Sequence, residues 1–196
     1  MLFRSLYLTR ERFARPDAAL WVGQPPLREP EDVDAIWAAL RDGPLDTVGT
    51  DHIPHRRAAK LDPSLTFDTV PPGVANLETL LPMLYSEGVR RGRLTLARLV
   101  EVLATAPARI AGLHPRKGVL APGSDADVVV FDPNARRTIR SSEMHSACDY
   151  DPYEGWDVTG WPEVVLSRGE VVFERGTITA RPGRGRFVPR GRYGEP

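Results

Sequence analysis

The hydrophobic period of this chain changes once, near residue 114, and that change limits the folds open to it. Before it, apolar residues recur at helical spacing: Val33, Ile36, Trp37 and Leu40; then Leu77, Leu80, Leu81 and Leu84; then Leu96, Leu99, Val100 and Leu103. After it the period is two. Residues 127–131 read as a strong strand, and 163–180 as two or three strands joined by Arg168-Gly169 and Arg175-Gly176 turns. The expected class is therefore α/β over residues 1–114 and all-β over 115–182, followed by an Arg-, Gly- and Pro-rich arm at 183–196.

Local signals refine this order. Glu31 and Asp32 suit the amino end of the first helix, and Gly43-Pro44 stops it. Asn76 and Thr95 are candidate caps for the next two. Pro82 lies inside the second pattern, so that helix kinks or starts late. Pro107 interrupts the third, which ends by Gly112. Short strands are expected at 6–8 and at the beginnings of 21–30 and 45–55, and a helical turn at 141–146. Residues 56–75 form an aperiodic connection containing Pro63 and Pro71-Pro72. Its length suggests a lid or a site-forming loop.

Composition removes several function classes. The 26 basic and 26 acidic side chains cancel, which argues against a protein held to nucleic acid by bulk charge. The tail arginines Arg181, Arg184, Arg186, Arg190 and Arg192 have only Phe187 and Tyr193 as aromatic neighbours, and suit a subunit-contact arm better. No run of 18 apolar residues predicts a membrane helix, and the first residues lack a secretory signal. The single cysteine, Cys148, excludes an internal disulfide framework, so a reducing, cytoplasmic compartment is the expectation. No glycine-rich phosphate loop occurs.

The one dense cluster of metal-competent groups is Asp51-His52 with His55, directly after an expected buried strand, where α/β folds place their sites. Asp51 could ligate a metal or accept a proton from bound water; alternatively it caps a helix or pairs with Arg56. His114 reads as a surface or interdomain residue, and a Cys148–His145 nucleophilic pair is conceivable from spacing alone. Asp125, Asp127 and Asp132 do not match a calcium loop and read as turn acids.

Several segments together resemble the cyclic amidohydrolases, the dihydropyrimidinase and D-hydantoinase family. They are PPLREPEDVDAIWAAL (25–40), GTDHIPH (49–55), PPGVANLE (71–78), the 104–133 stretch with KGVLAPGSDAD, DYDPYEGWDVTG (149–160), VVLSRGEVVFERG (164–176) and GRGRFVPR (183–190). The KG-x-L-A-x-G-S-D-A-D segment marks the wider superfamily; the Tyr153-Glu154-Gly155 and GRFxPR segments narrow it. The resemblance implies the last strands and helices of a TIM (β/α)8 barrel followed by part of a small β-sandwich domain. It implies hydrolysis of a cyclic diamide by a metal-bound hydroxide, on two divalent metals, zinc by expectation. It also implies a homo-oligomer, a tetramer in the family. Asp51 matches the aspartate that binds one metal and shuttles the proton to the leaving nitrogen. Pro71, Pro72 and Gly73 match the loop whose backbone meets the imide face of the substrate, and Gln24 and Pro25 the loop that also touches the ring.

The departures from the family shape the functional expectation. No His-x-His pair occurs, and Lys60 and Lys117 do not match the family's carboxylated lysine. Pro72 stands where the family has Asn, and Gln24 where it has Ser. One aspartate cannot hold two zinc ions. The expectation is a truncated hydrolase inactive alone, with a complementing subunit of a split enzyme and a dihydroorotase-like enzyme as alternatives. The helix faces of 33–40, 77–84 and 96–103 are expected to lack partners. Exposing on the order of 1,000 Å² of apolar surface would forfeit roughly 25 kcal/mol.

Overall fold

The computed structural model describes residues 1–191; Arg192 and Tyr193 of the tail lie outside them. Three 3₁₀ turns, Phe3–Leu6, Arg10–Ala14 and Ala18–Trp21, precede helix α1, Pro30–Asp42. Short α2 spans Arg57–Lys60. Helix α3, Leu80–Met83, runs on as a π-helical segment, Leu84–Val89. Helix α4, Leu96–Val100, continues through a π-helical turn, Glu101–Thr105, into α5, Ala106–Ile110. An antiparallel sheet in sequence order follows: β1 Val128–Thr138, β2 Asp157–Ser167, β3 Glu170–Glu174 and β4 Thr177–Ile178. Among the described residues no helix is long and apolar enough to cross a membrane.

The helix ends follow the expected chemistry. Glu29 and Asp32 form a reciprocal capping box at the start of α1, Pro30 occupies its first turn, and Gly43 ends it at φ 110°. The Arg98 guanidinium donates to the carbonyls of Leu40 and Leu45, both at 2.9 Å, closing the carboxyl end of α1 from α4. Thr95 Oγ1 accepts from Arg98 N–H at 3.1 Å, as its cap position predicts. Helix α3 starts late: Leu80 is its first residue, so the missing N–H of Pro82 falls in the first turn, where no partner is needed. Asn76 does not cap it, and Leu77 is exposed rather than on the buried face.

Both predicted hairpin turns form. Arg168-Gly169 and Arg175-Gly176 all have positive φ, the geometry of a two-residue turn that matches strand twist. The strands expected at 6–8, 21–30 and 45–55 do not form as strands. Residues 6–8 instead close the Phe3–Leu6 turn, and among the described residues the other two segments make single parallel bridges, Arg28 with Thr9, Gly49 with Leu2 and His52 with Val74. The turn expected at 141–146 is a 3₁₀ turn, Ser141–Glu143.

The helix faces are less bare than expected. Trp37, Leu40, Met83, Leu84 and Leu99 are buried in one cluster with Phe3, Leu6, Leu8, Ile139, Tyr153 and Val158. The first 29 residues fold back over α1, and the Trp37 indole donates to Leu6 O at 2.9 Å. Strand β2 packs on α3 and its π segment, with Thr159 N–H donating to Ser86 Oγ. Leu96 and Val100 stay exposed with Leu77. Total accessible surface is 11,638 Å², against roughly 9,200 Å² for a closed monomer of this mass. The excess indicates surface suited to further burial.

A polar clamp joins the start of α3 to the β ribbon. Glu78 accepts from the backbone N–H groups of His145 and Ser146 and from the His145 ring at 2.8 Å, while the other ring nitrogen meets Gly176 O at 3.1 Å. With a carboxylate on one side and a carbonyl on the other, both nitrogens serve as donors, and the hydrogen bond to Glu78 raises the His145 pKa above its usual value. The stabilisation is complete below the unfolded value near 6.5 and is lost as pH rises through the folded one. His145→Gln is therefore expected to lower Tm by about 2–4 °C near pH 6 and by less near pH 9, read from paired thermal melts. This arrangement also removes the Cys148–His145 pair: the Cys148 thiol lies 2.9 Å from His55 O instead. Asp125 and Asp127 are turn acids bound to Lys117.

Candidate functional site

Asp51 follows the Val48–Gly49 segment, which is fastened on both sides. Gly49 N–H donates to Met1 O and Phe3 N–H to Gly49 O, both at 2.9 Å; Val48 N–H donates to Val102 O. The chain then turns at Asp51 with φ 50°, a left-handed conformation that Asp tolerates better than most residues. The turn leaves the carboxylate 42% exposed at a rim of the molecule.

Behind it lies Arg4, only 1% exposed. Its Nη1 is 3.5 Å from Asp51 Oδ2, and its Nη2 donates to Pro25 O at 2.8 Å. One buried guanidinium thus links Asp51 to the Gln24–Pro25 loop. Gly23 makes room for it: a Cβ there would stand 3.3 Å from Arg4 Nε.

The third loop, 71–77, is sewn to the other two. His52 pairs with Val74, and its Nδ1 accepts from the N–H groups of Asn76 and Leu77 at 3.0 and 3.1 Å. Nδ1 of His52 is thus used as an acceptor, leaving Nε2 as the ring nitrogen that faces no described partner on this loop. His55 Nε2 meets Pro72 O at 3.2 Å, and Gly73 N–H donates to Val22 O at 3.0 Å. Pro71 and Pro72 carry no N–H, so contact with a ligand through 71–72 would use carbonyl oxygens and shape. Gln24, Pro25 and Pro72 are exposed, Pro71 is half-buried and Gly73 is buried. Gln24 and Pro72 line a cleft of about 790 Å³ together with Val22, Val70 and Phe67; Asp51 lies outside it.

The structure thus brings together the three loops that carry Gln24, Pro25, Asp51, Pro71, Pro72 and Gly73. It does not turn the Asp51-His52-His55 cluster into a ligand set, because both rings bind the 71–77 loop. Among the described residues, no three His, Cys, Asp or Glu side chains converge as a metal site. The residues present therefore do not fit a two-metal centre by themselves. Arg4 and Lys60 were not picked out as site residues from sequence. The available signal was a charged residue in an apolar setting, Phe3-Arg4 and Ala58-Ala59-Lys60.

The Amidohydrolase family model matches residues 24–172, well over half of the chain. The chain belongs to the amidohydrolase family. Within this family it is 42% identical over 195 residues to the D-hydantoinase of Ralstonia pickettii, which covers 96% of this chain and 42% of that protein. A crystal structure of a D-hydantoinase superimposes with a TM-score of 0.96 at 37% identity, covering all of this chain and 43% of the other. The dihydropyrimidinase from Brevibacillus agri gives 0.93 at 37% identity with the same coverage. This amidohydrolase chain thus spans less than half the length of the relatives it matches.

Proposed function

We propose that this chain is the carboxyl-terminal portion of a cyclic-amide hydrolase of the dihydropyrimidinase and hydantoinase kind, and that it needs further polypeptide to act. On this reading residues 1–114 form the end of a (β/α)8 barrel, 115–182 belong to the small β domain, and 183–196 are an arm. The observation that carries it is the exposed Asp51 carboxylate, tied through buried Arg4 to the Gln24–Pro25 loop, in a chain so similar to D-hydantoinases.

In that role Asp51 takes a proton from the water whose oxygen bonds the ring carbonyl carbon, and delivers that proton to the leaving nitrogen as the C–N bond breaks. Arg4 Nη1, 3.5 Å from one carboxylate oxygen, fixes the orientation of the group. The loops at 24–25 and 71–73 orient the cyclic amide through shape and carbonyl acceptors. Any metal ligands beyond Asp51 come from elsewhere. The surface in excess of a closed monomer suits burial against further polypeptide.

Co-expression with the amino-terminal portion of the Ralstonia pickettii D-hydantoinase tests the proposal. Hydantoin and dihydrouracil should be opened by the combined sample and by neither part alone. A metal-loaded, co-purifying pair that opens neither ring would contradict it, and opening of dihydroorotate alone would assign another substrate.

A further inference from the structure

We propose that Lys60 is a positioning residue that locks two ring-facing loops to each other, an inference that rests on the reading above. Its side chain is almost entirely buried, and its ammonium donates to three backbone carbonyls: Gly73 O at 2.6 Å, Val22 O at 2.8 Å and Leu20 O at 3.1 Å. Three donors meet three acceptors from two segments that are about fifty residues apart in sequence, and no carboxylate is among them. Val22 O also receives the Gly73 N–H, so the two loops share a carbonyl that Lys60 polarises. One segment leads into Gln24–Pro25 and the other closes Pro71–Gly73. The four-carbon stem reaches this point from α2, whose first residue is held by Asp149 through the Arg57 N–H.

The identity of the side chain matters. A planar guanidinium cannot aim three bonds at three carbonyls converging on one point, and a methionine fills the volume without any donor. Burial lowers Lys60 to about 8, with Cys148 raising it and Arg4 lowering it further, so the ammonium is charged at pH 7.

Two arms test the role. In the isolated chain, which has only two lysines, the Lys60 ammonium should give a slowly exchanging ¹⁵Nζ resonance at pH 7 with proton contacts to Gly73 and Val22. Exchange as fast as that of a free amine would overturn the proposal without any variant. In the complemented enzyme, Lys60→Met should raise KM for hydantoin about tenfold and change kcat less than about threefold. Gly73 amide exchange should accelerate while α1 keeps its protection, and Lys60→Arg should not restore KM. An unchanged KM with unchanged Gly73 exchange would reject it. If the complemented wild type opens no ring, the hydrolase reading fails, and the resonance still decides whether Lys60 joins the loops.

Discussion

Asp51→Asn in the complemented enzyme is expected to reduce hydantoin hydrolysis by about 10²–10⁴-fold, the range for loss of a positioned acid–base group. The fold should be almost untouched. The side chain is substantially exposed, its one side-chain partner among the described residues is Arg4 at 3.5 Å, and asparagine accepts φ 50° as readily as aspartate. Alanine is a poorer probe, because a left-handed φ costs it about 1–2 kcal/mol. Turnover and a thermal melt on the same sample separate the effects. Retention of wild-type turnover by Asp51→Asn would remove Asp51 from the chemistry; a large fall in Tm would show that the carboxylate holds the loop.

Gly73→Ala should be among the most damaging single-methyl additions. At φ 134° an L side chain is strained, and the added Cβ would stand 2.5 Å from Ile53 Cβ and 2.9 Å from Ile53 Cγ2. Ile53 cannot simply retreat, since its N–H donates to Val74 O at 3.1 Å. Backbone strain and collision together are expected to cost about 3 kcal/mol, a fall in Tm of about 6–12 °C. The double variant Gly73→Ala with Ile53→Ala loses the Cγ2 and Cδ1 contacts but keeps the Cβ at 2.5 Å, so it should recover only a minor part of the loss. A loss below about 1 kcal/mol in the single variant, by denaturant melts, would mean that the loop is looser than described.

What the sequence made legible was local and periodic. The extent of helix α1 could be read because Glu31, Asp32 and Gly43 lie within its own segment, whereas the cap itself, Glu29 paired with Asp32, was not read. The Arg-Gly hairpins were readable for the same reason. The aperiodic 56–75 connection ends in residues 71–73, which are hydrogen-bonded to Val22 and to His55 beside the Asp51 turn. The short strands were misjudged because a parallel strand needs a continuous partner, and the apolar runs at 6–8 and 21–30 carry no information about whether one is present. Burial of Trp37 and Leu99 was missed because the covering residues, Phe3, Leu6, Leu8 and Tyr153, come from distant parts of the chain. Arg4 and Lys60 were hidden for a related reason. Lys60 binds only backbone carbonyls of remote loops, and Arg4 binds one beside Asp51, so neither leaves a local residue-type signal. His52 and His55 looked like ligands by spacing, whereas their hydrogen bonds to Asn76, Leu77 and Pro72 assign them to loop anchoring.

The most direct test of the account is zinc binding and ring opening by this chain on its own. Purified chain equilibrated with micromolar zinc, then gel-filtered and analysed for metal, should retain well under one tightly bound ion per chain and leave hydantoin intact. Two retained ions per chain, displaced by Asp51→Asn and accompanied by hydantoin turnover, would contradict it.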